Sequence, residues 1–166
     1  MKKLPIVAKL QEELKKITRE LRIEVPKELR KAAAHGDFRE NAEYDAAKER
    51  QSFLRAREAQ LSSRIQSLAS LELNDIPKGI VAFGSRVSLE DLDTGKAVVY
   101  ELVSPEEVDP KNGKISVSSP IGRALLNKVE GDEIRIDLPS GLKEYEVTGL
   151  ITLHELMFEK ENDASE

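Results

Sequence analysis

Two closely spaced carboxylates are the residues of this sequence best suited to binding a metal ion. Asp37 and Glu40 follow the pair His35-Gly36. Carboxylates three residues apart lie one helical turn apart, so they can converge on a single divalent cation, and magnesium prefers oxygen ligands. The same spacing fits a helix start in which Asp37 is the N-cap and Glu40 completes a capping box, and spacing alone favours this capping role. The apolar Phe38 between them is unusual for a turn that faces solvent.

The two acids must be positioned by long helices on either side. Residues 4 to about 34 predict a first helix, because Leu10, Leu14, Ile17 and Leu21 follow the 4-3-4 spacing of a coiled-coil seam. Pro26 should kink or briefly break this helix, and Gly36 should end it. A second helix is predicted from near Asp37 to about Leu73. Its apolar residues recur every seven positions: Ala47, Leu54, Leu61 and Leu68.

Only a few residues link the two helices, so they must fold back on each other as an antiparallel hairpin. The predicted N-terminal domain is therefore residues 1–75, a two-helix coiled-coil hairpin with an acidic tip near residues 36–44. The hairpin has little core of its own, and its tip should project into solvent or into a partner. This placement of the acids favours a role beyond capping.

A small β domain is predicted after the turn-forming linker 74–79. Two hairpin signals, at 93–96 and at 139–141, separate strands expected at 84–92, 97–103, 114–118, 134–138 and 143–150. One short helix is expected at 121–127. The fold class is thus α+β, with a C-terminal antiparallel β domain at 80–158 and an acidic, disordered tail at 159–166.

Composition and charge limit the function classes. The chain has 166 residues with a net charge of −5, and it contains no cysteine, which excludes disulfides and thiolate metal sites. No stretch of eighteen apolar residues occurs, so neither a membrane span nor a membrane partner is expected. These features indicate a cytoplasmic protein, and the composition favours a monomer.

Two motifs carry a resemblance to a known family. The run from His35 to Glu49, which contains Gly36-Asp37-Phe38-Arg39-Glu40-Asn41-Ala42-Glu43-Tyr44, resembles the signature of the Gre transcript-cleavage factors. The run from Ser118 to Lys128, followed by Gly131-Asp132, is similar to a stretch of that family's C-terminal domain. The resemblance covers almost the whole chain in the right order. It implies a GreA-like transcription elongation factor with an FKBP-like C-terminal domain.

The resemblance also implies a mechanism. Gre factors enter the secondary channel of bacterial RNA polymerase and stimulate the polymerase's own cleavage of backtracked RNA, which rescues arrested complexes. Asp37 and Glu40 would complete the shell of a Mg²⁺ ion held mainly by the polymerase, beside the RNA 3′ end. The isolated chain would then bind no cofactor and would not itself be an enzyme.

Further site residues follow from the resemblance. Phe38, Asn41, Glu43 and Tyr44 match the tip motif and are expected to shape the tip. The family's basic patch corresponds to a stripe of three arginines, Arg50, Arg57 and Arg64, expected to contact RNA phosphates. The alternative is a set of solvated arginines balanced by Glu43 and Glu58. Pro120 and Ile121 are expected to contact the polymerase, whereas core packing is favoured for Leu125.

This sequence departs from the family pattern at two positions of the second motif. Gly122 stands where the family usually has alanine, and Asn127 stands where it usually has glycine. Three other functions remain open. The chain could be a Gre-fold paralogue that inhibits in the same channel, an interaction module without metal chemistry, or a prolyl isomerase. Fold alone does not support the last.

Overall fold

The computed structural model describes residues 4–36 and 41–164. The chain divides into two compact units, Met1–Leu73 and Asn74–Glu166. The first unit is helical, and the second contains the sheet.

The first arm of the helical unit is a nearly continuous helix with one wide turn. It consists of α1 (Pro5–Arg19), a π-helical turn (Glu20–Glu24) and α2 (Val25–Ala33). The N–H of Val25 donates to the carbonyl of Glu20, five residues back, instead of four. The wide turn comes directly before Pro26, which has no N–H to donate. The predicted interruption at Pro26 therefore takes the form of a π turn, and the helix continues beyond it.

The second arm is α3 (Ala42–Ala69), and it runs antiparallel to the first. Cross-helix pairs show the direction, because Arg57 bonds to Glu13 and Arg50 bonds to Glu20. The predicted boundaries were wrong at both ends. The helix begins at Ala42, not near Asp37, because its N-cap is Asn41, and it ends at Ala69, four residues before Leu73.

The heptad seam predicted for the second arm is confirmed at its three leucines, whereas Ala47 is half-buried. Leu54, Leu61 and Leu68 are all buried on α3. α3 packs along both α1 and α2, whose buried residues include Leu10, Val25 and Ala32. This part of the hairpin is thus held by a narrow line of apolar side chains, with charged residues on either side of it.

The second unit contains a five-stranded sheet. The strands are β1 (Arg86–Asp91), β2 (Ala97–Val103), β3 (Lys114–Ser116), β4 (Glu133–Leu138) and β5 (Gly141–Ile151). Their order across the sheet is β3-β2-β1-β5-β4. Both predicted hairpins are present, since β1 pairs with β2 and β4 pairs with β5, in each case antiparallel. The register between β1 and β5 shifts at Ser88/Leu89, which marks a β-bulge.

One strand pair departs from the predicted antiparallel sheet. β2 and β3 are parallel, with Leu102 opposite Ile115. The segment between them contains two 3₁₀ turns, at Pro105–Glu107 and Pro110–Asn112. These turns carry the chain back to Glu101, in the second half of β2, so that β3 runs in the same direction.

The core of this unit lies between the sheet and a short helix, α4 (Pro120–Leu125). Leu125 is fully buried in the core, as predicted. The other buried members come from the strands and from the segment before β1: Val81, Val87, Leu89, Leu102, Ile134, Ile136, Tyr145 and Val147.

A last helix, α5 (Leu153–Asp163), replaces most of the expected disordered tail. The carboxylate of Glu155 accepts a hydrogen bond from the N–H of Thr152 at 2.7 Å, and Leu156 is buried. The acidic composition of residues 159–163 concealed this helix, which is anchored by residues before them. Across the described ranges, none of the helices has the length and apolar character needed to cross a membrane.

Candidate functional site: the tip of the helical hairpin

Asn41 lies where the second arm of the hairpin begins, and its side chain bonds to both arms. Its Oδ1 accepts from the N–H of Tyr44 at 3.0 Å, which caps α3. Its Nδ2 donates to the carbonyl oxygen of Ala32, in α2, at 2.7 Å. The side chain is half-buried. One amide group therefore joins the end of the first arm to the start of the second.

The first arm ends in a tight turn. The N–H groups of Ala34, His35 and Gly36 donate to the carbonyls of Arg30, Ala32 and Ala33, respectively. Gly36 has a φ of +82°, the left-handed conformation that glycine adopts most easily. Gly36 thus ends the arm as the sequence predicted.

The predicted catalytic residues, Asp37 and Glu40, lie outside the described residues, as does Phe38. The structure does show which residue caps α3. The N-cap of this helix is Asn41, so the predicted capping box of Asp37 and Glu40 at the start of the second helix was wrong. A metal role for the two carboxylates stays a prediction.

Glu43 and Tyr44, the other tip residues predicted within the described chain, are both in the first turn of α3. Glu43 is exposed, and a carboxylate oxygen lies 3.6 Å from Nε2 of His35, on the opposite side of the turn. Tyr44 is half-buried, and the ammonium of Lys48 lies 5.8 Å from the centre of its ring. Their role in shaping the tip stays a prediction.

Two of the three predicted stripe arginines bind carboxylates of the opposite arm. Nε of Arg50 lies 2.8 Å from Glu20, and the bond raises the pKa of this arginine. A terminal nitrogen of Arg57 lies 2.7 Å from Glu13. For Arg50 and Arg57, the carboxylate partners are thus Glu20 and Glu13, and not the Glu43 and Glu58 of the alternative. These lie beside other groups: His35 for Glu43 and the hydroxyl of Thr18 for Glu58.

The predicted polymerase-contact residues at α4 differ in exposure. Pro120 is exposed at the first position of the helix, whereas Ile121 is half-buried against the core. The hydroxyl of Ser119 accepts from the N–H of Gly122 at 3.0 Å and caps the helix. Pro120 is thus available for contact, and Ile121 is largely committed to packing.

The structure accounts for both departures from the family pattern in the second motif, Gly122 and Asn127. A Cβ on Gly122 would collide with the carbonyl oxygen of Ser116 and come within 3.0 Å of Cα of Val117. Asn127 has a φ of +66°, a left-handed conformation that glycine, the family's usual residue here, adopts without strain. Asparagine is among the few other residues that adopt this conformation readily.

A partly buried ion pair lies at the β1–β2 turn. The carboxylate of Asp91 accepts from the N–H groups of Asp93 and Thr94 and from Nζ of Lys143. Burial opposes ionisation of Asp91, but these hydrogen bonds and the nearby ammonium outweigh it and hold the pKa of the carboxyl below 3.8. The same carboxylate raises the pKa of Lys143 above 10.5.

No other part of the described chain offers a competing metal site. Within residues 4–36 and 41–164, no three histidine, aspartate or glutamate side chains form a group that could hold a metal ion. A groove of about 620 Å³ lies beside α5, lined by residues that include His154, Phe158 and Lys78. Among the described residues, neither ring nitrogen of His154 has a hydrogen-bond partner. Glu155 and Glu159 also line this groove, but they form no group of three that could hold a metal ion within the described residues.

Sequence reasoning missed the double role of Asn41. The signal was present, because asparagine is a preferred N-cap and Glu43 and Asp45 follow it in the first turn. Asp37 and Glu40 form an equally good capping pattern, and local spacing alone could not show whether Asp37 or Asn41 is the N-cap. The bond to Ala32 depends on the closure of the hairpin, which no local pattern reveals.

Comparisons with known proteins agree on one family. Residues 76–151 match the family model described as the C-terminal domain of transcription elongation factor GreA/GreB, and residues 6–69 match the model of the N-terminal domain. Transcription elongation factor GreA of Syntrophotalea carbinolica is 45% identical over 85% of this chain and 89% of its own length.

Two further similarities were found. Transcription elongation factor GreA of Neisseria meningitidis serogroup B is 40% identical over 89% of this chain and 96% of its own length. The crystal structure of GreA factor homolog 1 of Thermus thermophilus is 30% identical and covers 87% of this chain and 94% of that one. Its TM-score is 0.40, so it adds nothing to the assignment.

Proposed function

The chain belongs to the GreA/GreB family of transcription elongation factors, and from this premise we propose that its hairpin tip stimulates RNA cleavage by RNA polymerase. As a member of this family, it acts in transcription elongation with RNA polymerase as its partner. The proposal concerns how it acts. The hairpin enters the secondary channel, and Asp37 and Glu40 reach the backtracked RNA 3′ end.

The closure of the hairpin by Asn41 is the observation that carries this proposal. The amide bonds to Ala32 in one arm and to Tyr44 in the other. Asp37 and Glu40 both belong to the eight residues of chain between Ala32 and Asn41. Both acids therefore belong to the stretch of chain that links the two bonded arms, and the N-cap of α3 does not require them.

The donor set at the tip fits a shared magnesium ion. Two carboxylates supply the hard oxygen ligands that Mg²⁺ prefers, but Mg²⁺ needs six ligands in total. Asp37 and Glu40 are therefore too few to hold the ion alone and suit an ion held mainly by the polymerase. Bound there, Mg²⁺ would polarise the scissile phosphate and activate water. The tip carboxylates would add ligands and orient the attacking water.

The protein would then have no independent active site. The polymerase would supply the remaining metal ligands and the RNA, and the factor would supply two carboxylates at a fixed place. We therefore assign the cleavage to the polymerase and regard this chain as its activator, acting as a monomer.

The basic stripe has a weaker part in this proposal. Arg50 and Arg57 each bind a carboxylate of the opposite arm, so an RNA phosphate would have to compete with that partner. The side chain of Arg50 is still 50% exposed, and that of Arg57 is 37% exposed. We propose that they contribute positive charge along the RNA path and also hold the two arms together.

The test measures RNA length in a stalled, backtracked elongation complex with Mg²⁺. We expect the wild-type protein to shorten the RNA, and Asp37→Asn and Glu40→Gln to lower the cleavage rate on the order of 100-fold or more, since each loses a charged metal ligand. Asparagine and glutamine keep the size of each side chain, so loss of shape cannot explain the effect.

Asp45→Asn is the matched control. Asp45 is an exposed acid in the first turn of α3, and its substitution removes the same charge from the same end of the hairpin. We expect it to keep cleavage within about twofold of wild type, because exposed charges contribute little. Wild-type cleavage by both tip variants would contradict the proposal. Binding to polymerase without any cleavage by the wild type would point to an inhibitor.

A further inference from the structure

We propose that Asn41 is a positioning residue for the tip carboxylates, which its side-chain amide places by joining the two arms of the hairpin. The inference rests on the proposed function and extends it from the two acids to the group that fixes them. It is carried by the two hydrogen bonds of one amide, at 2.7 Å to Ala32 and 3.0 Å from Tyr44.

The orientation of the amide follows from its partners. Its Nδ2 faces a carbonyl oxygen, and its Oδ1 faces an N–H group. If the amide were rotated by half a turn, oxygen would face oxygen and N–H would face N–H, and both bonds would be lost. The amide therefore has one favourable orientation in this setting.

Capping alone does not explain both bonds. An N-cap needs only an oxygen that accepts from the helix, and serine or aspartate serves about as well as asparagine. The carbonyl of Ala32 already accepts from the N–H of His35 at 3.2 Å, so it would not be left unpaired without Asn41. The bond from Nδ2 to Ala32 is thus additional to the needs of either helix end.

The effect of this additional bond is to fix the distance between the arms where they meet the tip. The two bonded residues, Ala32 and Asn41, lie nine apart in the chain, and both catalytic carboxylates lie between them. Catalytic groups must be held closely, because a misplacement of about 1 Å can lower a rate on the order of 100-fold. A small change at Asn41 should therefore affect cleavage more than folding.

Three substitutions separate the two bonds. Asn41→Asp and Asn41→Ser both keep an oxygen that can cap α3. An ionised aspartate has no donor, and the serine hydroxyl lies one bond nearer the backbone than Nδ2 and so falls short of the Ala32 carbonyl. Asn41→Ala loses both bonds. Asn41→Asp adds a negative charge and Asn41→Ser does not, so an effect shared by the two cannot come from charge.

The experiment measures three quantities for the full-length protein: helix content by circular dichroism, affinity for polymerase by competition with labelled wild type, and RNA cleavage at saturating factor. For Asn41→Asp and Asn41→Ser we expect unchanged helix content and an affinity within about threefold of wild type. We expect the saturated cleavage rate to fall on the order of 10-fold or more. The Mg²⁺ concentration for half-maximal cleavage should also rise, a change that a purely structural role would not produce.

The outcomes are distinguishable. If both variants cleave at the wild-type rate when saturating, Asn41 is only a cap and the inference fails while the proposed function stands. If cleavage falls only in proportion to lost helix or lost affinity, the residue is structural and the inference fails as well. If the wild type does not cleave at all, the proposed function and this inference fail together.

Discussion

The helical hairpin and the sheet unit solve the problem of stability in different ways. The hairpin relies on a narrow apolar line, which includes Leu54, Leu61 and Leu68, and on exposed ion pairs between its arms. The sheet unit buries residues from four strands and from α4 in one continuous core. The comparison teaches that the part that carries the proposed chemistry has the thinner packing, so its geometry must depend more on specific bonds such as those of Asn41.

The comparison is sharpest for equal truncations in the two regions. Leu102 in the sheet unit and Leu54 in the hairpin are both at most 2% exposed. We expect Leu102→Ala to lower the free energy of unfolding by about 4 kcal/mol and Leu54→Ala by about 2 kcal/mol. The loss should be smaller in the hairpin because two helices can close on a gap, or water can enter it, more easily than in an enclosed core.

Hydrogen exchange read by mass spectrometry measures each unit in the same full-length chain. Val99→Ala and Phe53→Ala are the controls, since both residues are at least half exposed and lie near the test positions. Equal losses for Leu54→Ala and Leu102→Ala would show that the seam is as tightly packed as the core, and the contrast drawn above would be wrong.

The second prediction concerns backbone packing, which is close in the sheet unit. We expect Gly122→Ala to destabilise the sheet unit by about 2 kcal/mol, because its Cβ would collide with the carbonyl of Ser116. Without this collision, alanine would stabilise the helix by about 1 kcal/mol relative to glycine. A gain in stability would therefore mean that α4 shifts away from Ser116 at little cost. Urea denaturation followed by circular dichroism measures the change.

Gly149→Ala is the matched control for this substitution. A Cβ at Gly149 would lie 3.4 Å from the side chain of Ser88, an ordinary contact distance, and its φ is not positive. We therefore expect Gly149→Ala to be within about 1 kcal/mol of wild type.

The smallest expected effects come from the ion pairs. We expect the pair in the sheet unit to make stability depend on pH and the exposed pair in the hairpin to contribute little. The pKa of Asp91 is lowered on folding, so its contribution to stability is present above about pH 3.8 and is lost as pH falls through the lowered pKa. The pKa of Lys143 is raised on folding, so its contribution is present below pH 10.5 and is lost as pH rises beyond it. Asp91→Asn should therefore be less stable than wild type between these limits.

Thermal unfolding across the pH range measures this prediction. The Tm difference between wild type and Asp91→Asn should vanish in acid, where the wild-type carboxyl is protonated. In the hairpin, Glu13→Gln should change stability by at most about 1 kcal/mol at neutral pH, because Glu13 and Arg57 are 42% and 37% exposed. An Asp91→Asn difference that persists unchanged at low pH would mean that the carboxyl acts through shape and not through charge.

Repeating patterns made most of the fold predictable. The recurrence of leucine every seven residues identified the seam of α3, and turn signals at 93–96 and 139–141 identified two strand pairs. Features that depend on distant parts of the chain were not predictable. The parallel pairing of β3 with β2 is of this kind. The cap of α5 by Thr152 and Glu155 is local, but the acidic residues that follow it pointed to disorder.

The candidate site shows the same division. The acids Asp37 and Glu40 could be identified from local spacing and from the resemblance, because the motif is contiguous in sequence. The bond from Asn41 to Ala32 and the pairing of Arg57 with Glu13 exist only when the two arms lie side by side. Local sequence could name the reactive groups, but not the contacts that hold the arms together.

The π turn at Glu20–Glu24 has a consequence for how this arm can change in evolution. The apolar seam residues Leu10, Leu14, Ile17 and Leu21, the last of them inside the turn, keep the coiled-coil spacing. Those after the turn, Val25, Leu29 and Ala32, lie one residue later than that spacing would place them. A π turn holds one more residue than an α-turn, so it absorbs this offset. The arm therefore accommodates one extra residue in this turn, and the apolar residues after the turn still face α3. Deletion of the exposed Ile23 would be the reverse event, restoring an ordinary α-helix with the same face toward its neighbour.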